Sequence, residues 1–179
     1  MTFKKTLIPF LLIAVTFYAA SCNKNKETAR MSVKMTDQPG DFDTVNVEVL
    51  EVQLNYTNED DESNWVVLET VAGNYDLLLL QDGLTAKLSD DVEIPVGQLG
   101  QMRLILGTNN YVIVDSVYHP LDLSSQDKTG LKFNLNTEVA ADDEIEIVFD
   151  FDAHASIVLT GAGVYKLKPV LKVEEIIYL

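Results

Sequence analysis

Ile145, Ile147, Phe149 and Phe151 fall on every second position, and Glu144, Glu146 and Asp150 stand between them. A chain patterned this way puts its apolar side chains on one face of a pleated strand and its acids on the other. The same period recurs in Met31, Val33 and Met35, in Val45, Val47 and Val49, and in Leu131, Phe133 and Leu135. No helical period of comparable length competes with it. Segments of strand length between turn signals therefore predict an all-β sandwich.

Several segments sharpen that expectation. Thr36-Asp37-Gln38-Pro39-Gly40-Asp41 reads as a turn after a first strand at residues 31–35. Leu50, Val52, Leu54 and Tyr56 continue the alternation of Val45, Val47 and Val49 in the opposite phase, which predicts a β-bulge near Val49-Leu50. Residues 58–64 read as a polar, acidic hairpin loop and residues 65–71 as the return strand. The four leucines from Leu77 to Leu80 fit either a buried strand or a helical turn. Residues 85–91 suggest a brief helix or loop before a strand at 92–95. Gly97 and Gly100 suggest a break before a strand at 102–106, and Asn109-Asn110 a hairpin turn into residues 111–115. Residues 118–121 form another short piece, and residues 153–158 a short helix or turn. Tyr165, Leu167, Leu171 and Val173 share one face of a last strand. Pro169 within it cannot donate to a ladder, which places that strand at an edge or a bulge.

The N-terminus carries a different signal. Lys4 and Lys5 precede an almost wholly apolar run over residues 7–18, and Ala19-Ala20-Ser21 then leads into Cys22, the one cysteine of the chain. That order is a secretory signal peptide ending in a bacterial lipobox-like site, although its third position before the cysteine is Ala19 where an aliphatic such as Leu is usual. The apolar run is too short to cross a membrane, which takes about 20 residues. A single cysteine has no internal partner. The expectation is a signal peptide at 1–21, a lipidated Cys22 with a flexible tether through residue 30, and a β-sandwich domain over 31–179. Asn23-Lys24-Asn25-Lys26 carries no acidic run of the kind that marks export to the outer surface. The expected location is the bacterial cell envelope, on the outer membrane, facing the periplasm.

Charge narrows the partners. With 28 acidic against 13 basic residues, a net charge of −15, the chain repels phosphate backbones, so nucleic-acid binding is disfavoured and no nucleic-acid partner is expected. Anionic lipid is disfavoured for the same reason, which leaves the lipid on Cys22 as the membrane contact.

Four blocks carry a family resemblance. They are Thr36-Asp37-Gln38-Pro39 with Asp41-Phe42-Asp43 and Val45-Asn46-Val47; Tyr75-Asp76-Leu77-Leu78 through Asp82-Gly83; Ile94-Pro95-Val96-Gly97 with Gln101-Met102-Arg103-Leu104; and Phe151-Asp152-Ala153, Ser156-Ile157-Val158, Thr160-Gly161 and Tyr165-Lys166-Leu167-Lys168-Pro169-Val170. In this order the chain resembles the lipoprotein domain-of-unknown-function family 4382 of bacteria and archaea. The resemblance implies a transthyretin-like or immunoglobulin-like β-sandwich and implies no activity. The chain departs from the pattern at Ala155, where a basic residue is expected.

Nothing in the motifs points to catalysis. The sequence has no Gly-x-Ser-x-Gly elbow, no His-Glu-x-x-His and no phosphate-cradling glycine loop. His119 and His154 lack metal-ligand spacing and read as partly exposed polar residues. The expectation is a protein that is not an enzyme and has no cofactor, with calcium as the one alternative. Asp37, Asp41 and Asp43 lie in one turn, and calcium takes several oxygens at about 2.3–2.6 Å. Glu59-Asp60-Asp61-Glu62 and the pair Asp150 and Asp152 are further acidic groups, none with EF-hand spacing. Turn chemistry alone also accounts for these residues.

Other residues invite a role. Arg103 lies in an apolar strand and reads as exposed or as paired with an acid such as Asp76 or Asp152. Asp43-Thr44-Val45 and Asp115-Ser116-Val117 resemble the Asp-Ser/Thr-aliphatic acceptor of bacterial O-glycosylation, with Thr44 and Ser116 as the modified residues. Trp65, Tyr56, Tyr111 and Tyr118 could grip a sugar ring, though Trp65, beside Val66-Val67, reads as core filling. The functional expectation is a lipid-anchored, non-catalytic envelope protein that is structural, adhesive or a binder of a glycan or protein ligand. The rivals are an accessory or catalytic factor in envelope glycan processing and a pilus-like subunit pairing through an edge strand.

Overall fold

A computed structural model describes residues 27–38, 40–57 and 63–179. Among them thirteen strands follow in chain order: β1 (Thr28–Thr36), β2 (Thr44–Thr57), β3 (Ser63–Leu68), β4 (Gly73–Asp76), β5 (Ala86–Pro95), β6 (Gly97–Leu106), β7 (Tyr111–Val114), β8 (Val117–Pro120), β9 (Leu131–Val139), β10 (Glu144–Phe151), β11 (Ile157–Leu159), β12 (Tyr165–Leu167) and β13 (Leu171–Tyr178). One short helix, α1 (Ala153–Ser156), precedes β11. The chain is an all-β sandwich.

The first sheet runs β13-β10-β1-β5, with β1 and β10 parallel. The second is built around the long β2. On one side of β2 lie β6 and then β7 in line; on the other lie β3 and then β4 in line. β9 flanks β6, and β8 flanks β7. Residues 69–72 and 107–110 are the places where each flanking strand leaves β2 and returns.

Side chains close those gaps. Thr70 Oγ1 accepts the Val52 N–H at 3.0 Å, and Asn110 Oδ1 accepts the Glu48 N–H at 2.9 Å. Each supplies the acceptor that a continuous neighbour would have offered, so no β2 amide is stranded there. A Cβ at Gly107 would fall 2.0 Å from Glu48 Oε2, so a side chain there would push the carboxylate off the Thr108 and Asn109 N–H groups it accepts.

The core lies between the sheets. Met31, Val33, Met35, Ile145, Ile147, Phe149 and Phe151 face inward from the first sheet, and Val45, Val47, Val49, Val52, Leu54, Met102 and Leu104 from the second. Phe133 and Phe149 meet across the interface with ring centroids 5.1 Å apart. Each of the larger side chains contributes about 1.5–3 kcal/mol by leaving water. At one margin Tyr178 on β13 donates to the Glu138 carbonyl at 2.6 Å, and its oxygen lies 2.8 Å from Thr137 Oγ1 on β9. That pins the edge of one sheet to the edge of the other.

The expected bulge is present: the β2–β6 register shifts between Val49 and Glu51, and Leu50 turns outward. Other expectations need correction. The sheet begins before residue 31, because Thr28, Ala29 and Arg30 already pair in the first sheet and Arg30 bonds Asp91. The polar Thr28 and Arg30 hide this start. Residues 86–95 form one strand rather than a helix or loop followed by a strand. Two register shifts against β1, with Asp91 at φ 50, erase the alternation there. Gly97 and Gly100 lie inside β6, where Gly100 falls at a register shift against both neighbours. Asn109-Asn110 does not turn a β6–β7 hairpin, since both strands pair with β2. Pro169 lies between β12 and β13, outside either ladder. Leu77 to Leu80 form a 3-10 turn, capped by Asp76 Oδ1 accepting the Leu78 N–H at 3.2 Å.

Candidate functional site

The outer face of the second sheet collects the side chains that alternate away from the core. Strand register sets them in rows. Trp65 on β3, Asn55 on β2, Gln101 on β6 and Asn134 on β9 stand side by side across four strands. In the next row stand Val67, Gln53, Arg103 and Lys132. Trp65 is 38% exposed, so it is not core filling: Val66 and Leu68 point inward and leave Trp65 and Val67 on the surface. Gln101 Nε2 donates to Asn134 Oδ1 at 2.9 Å, and Asn55 Nδ2 donates to the Asn64 carbonyl at 3.1 Å.

Arg103 is held from three sides. Its guanidinium carbon lies 4.0 Å from the centre of the Trp65 ring. Its Nη1 donates to Gln53 Oε1 at 2.9 Å. Beneath its stem is Gly130, at φ 109, where a Cβ would fall 2.5 Å from Arg103 Cδ. The expected acid partners are elsewhere. Asp76 caps the leucine turn, and Asp152 caps α1 by accepting the Ala155 N–H at 2.7 Å. Glu51, on the same face, binds the Gln53 amide. Lys132 Nζ lies 5.7 Å from the Trp65 ring centre.

The other end of this face carries an aromatic pair, Tyr111 and Tyr118, with ring centroids 5.0 Å apart and Tyr118 exposed. Between the two ends lies an amide network. Asn46 Nδ2 donates to Asn74 Oδ1 at 3.1 Å and to the Asn109 carbonyl at 2.8 Å, and Glu48 Oε2 accepts the N–H groups of Thr108 and Asn109. Tyr56 packs against the core instead. The face is thus two aromatic stations joined by amides.

The aspartates of the first turn do not converge. Asp37 is buried, with Oδ1 accepting the Ala153 N–H at 2.8 Å and Oδ2 3.5 Å from Gln81 Nε2. Burial pushes its carboxyl up to about 6 against these hydrogen bonds. Asp43 Oδ2 instead accepts the Ser116 N–H at 2.7 Å, and Asp41 is exposed. Among the described residues no group of three or more His, Cys, Asp or Glu side chains is arranged to hold a metal ion. Asp37 and Asp43 thus each clamp a loop, and the three aspartates expected to share a calcium site are not brought to one point. Glu59 to Glu62 and Cys22 lie outside the described residues.

Asp150 is enclosed, 3.2 Å from Lys172 Nζ, and burial raises its carboxyl while Lys172 opposes the shift. It lines a hollow of about 540 Å³ with Asp37, Glu146, Glu174 and Glu175, where Lys34 is already paired with Glu146 at 2.7 Å. The two histidines make ring contacts, His119 with Tyr165 at 4.7 Å and His154 with Phe42 at 6.5 Å. Ser116 is exposed at the β7–β8 turn with φ 65, whereas Thr44 is half-buried within β2.

The family model described as a domain of unknown function, DUF4382, matches residues 28–169. The chain belongs to this family. The DUF4382 match begins where β1 begins and ends before β13, so it takes in Trp65, Arg103, Lys132 and every described aspartate discussed above. Neither a curated protein nor a solved structure matches the chain. DUF4382 carries no assigned activity, so the functional reading rests on the chain's own residues. Sequence reasoning missed Trp65 as a surface residue, although the inward pair Val66 and Leu68 was a signal for it.

Proposed function

We propose that the protein is a lipid-anchored, non-catalytic binding module of the bacterial cell envelope, and that its ligand is a glycan lying on the outer face of the second sheet. The observation that carries this reading is the row Trp65, Asn55, Gln101 and Asn134. Sugars offer an apolar ring face edged by hydroxyls. An exposed indole suits the former, and amides, which donate and accept on one plane, suit the latter. The stacked Tyr111 and Tyr118 at the far end of the same face favour an extended chain over a single sugar.

The anchor follows from Cys22 and its leader, which precede β1 in the sequence. The outer membrane, periplasmic side, is the location this reading adopts. A non-catalytic role agrees with the ring contacts of both histidines and the loop clamps of Asp37 and Asp43.

The test is affinity electrophoresis of the detergent-purified lipoprotein through gels containing neutral and acidic polysaccharides. Retardation by at least one glycan, lost in Trp65→Ala, supports the reading. Unchanged retardation in Trp65→Ala, or none with any glycan, contradicts it.

A further inference from the structure

We propose that Arg103 and Lys132 form an anion subsite on that face, and that the sugars it takes bear carboxylates, as uronic acids do. This rests on the glycan reading and specifies its substrate class.

The first ground is a missing counter-ion. Arg30 pairs with Asp91, Lys34 with Glu146, Lys87 with Asp90 and Lys172 with Asp150. Among the described residues no carboxylate lies within ion-pair distance of Arg103 or Lys132; the same holds of Lys128, Lys166 and Lys168, but only Arg103 and Lys132 face each other beside an exposed tryptophan. The lack does not come from scarcity of acids. Glu51, two residues from Gln53 on the same face, is tied to the Gln53 amide, whose oxygen faces Arg103 Nη1.

The second ground is the register. Arg103 and Lys132 stand directly opposite each other on β6 and β9. Like charges in that position repel and destabilise a sheet unless something anionic lies between them. A carboxylate bound from solvent would relieve this, and among the described residues none is supplied.

The third ground is preorganisation. Gly130, the Trp65 ring and Gln53 fix the Arg103 side chain before any ligand arrives. A guanidinium loses much freedom on binding, and fixing it in advance removes that loss. Its planar fork matches a carboxylate in two parallel hydrogen bonds, which an ammonium cannot do. Beside it, Trp65 is placed for the sugar ring and Asn55, Gln101 and Asn134 for the hydroxyls. A uronic acid presents ring, hydroxyls and carboxylate together. Arg103 Nε is enclosed without an acceptor, so the fork meets its ligand through the Nη nitrogens.

The experiment is calorimetric titration of the detergent-purified lipoprotein with oligogalacturonate and with its fully methyl-esterified form. The acid is expected to bind about tenfold more tightly than the ester, a gap of about 1.4 kcal/mol. Its affinity should fall as sodium chloride rises. Arg103→Gln should close the gap, so that acid and ester bind that variant equally, even where the loss of the Trp65 contact weakens both; Lys132→Met, on the exposed edge, should narrow the gap without loss of fold. Equal affinity for acid and ester, with both variants silent, would overturn the anion subsite and leave the glycan reading standing. No binding of either form, with Trp65→Ala silent in the electrophoresis, would overturn both.

Discussion

The Asp37 carboxylate accepts the backbone amide of Ala153 at 2.8 Å, joining the end of β1 to the start of α1 across 116 positions of sequence. Asp37 N–H also donates to the Leu80 carbonyl at 3.0 Å. One buried residue therefore holds together β1, the leucine turn and α1, and it does so at the cost of enclosing a charge.

That cost predicts a pH dependence. In the unfolded chain the carboxyl ionises near 3.8; in the fold burial raises it to about 6. Between these values the folded state holds the proton more tightly, so stability falls as pH rises from 4 to 6 and levels off above. The span corresponds to at most about 3 kcal/mol. Asp37→Asn keeps the oxygen that accepts the Ala153 amide and removes the charge. At pH 7.5 it should be more stable than the parent by about 1–3 kcal/mol and should lose most of the gain otherwise seen on acidification. Asp150, also raised by burial, leaves a slope of the same sign. Denaturant titrations at pH 5 and 7.5 check this. A less stable variant at pH 7.5 would mean that the ionised carboxylate favours the clamp.

Asn110 offers a test of how the second sheet tolerates its gaps. Its Oδ1 accepts the Glu48 N–H and its Nδ2 donates to the Gly107 carbonyl, each at 2.9 Å, and the residue is buried. Asn110→Ala strands both backbone groups, so a loss of about 2–4 kcal/mol is expected. Urea unfolding would show it. A loss under 0.5 kcal/mol would mean that water replaces the side chain freely.

Cys22→Ser tests the anchor. The parent should incorporate labelled palmitate and partition into detergent, and the variant should do neither. Palmitate incorporation by the variant would place the lipid elsewhere.

The strands were legible wherever alternation is unbroken. β10 and the phase slip of β2 could be read from Ile145 to Phe151 and from Val45 to Tyr56. β5 could not, because its two register shifts scramble the period around Ser89 and Asp91. The in-line strands beside β2 were hidden for another reason: Asn109-Asn110 looks like a hairpin turn locally, and only pairing with β2 shows that it is not. The turn of Asp37, Asp41 and Asp43 looked like one cluster because its residues are near in sequence. It crosses from the first sheet to the second, which sends Asp37 to Ala153 and Asp43 to Ser116. The Arg103 station depends on Gly130 and Trp65, from two other parts of the chain, and no local pattern announces that convergence.

The most direct test of the glycan account is nuclear magnetic resonance of the nitrogen-labelled protein, titrated with the glycan that retards it most in the gel. The account predicts that the Trp65 indole and the side-chain amides of Asn55, Gln101 and Asn134 shift together, with the core of β10 unmoved. Shifts confined to the acidic hollow around Asp150 and Glu174, with the Trp65 row silent, would contradict it.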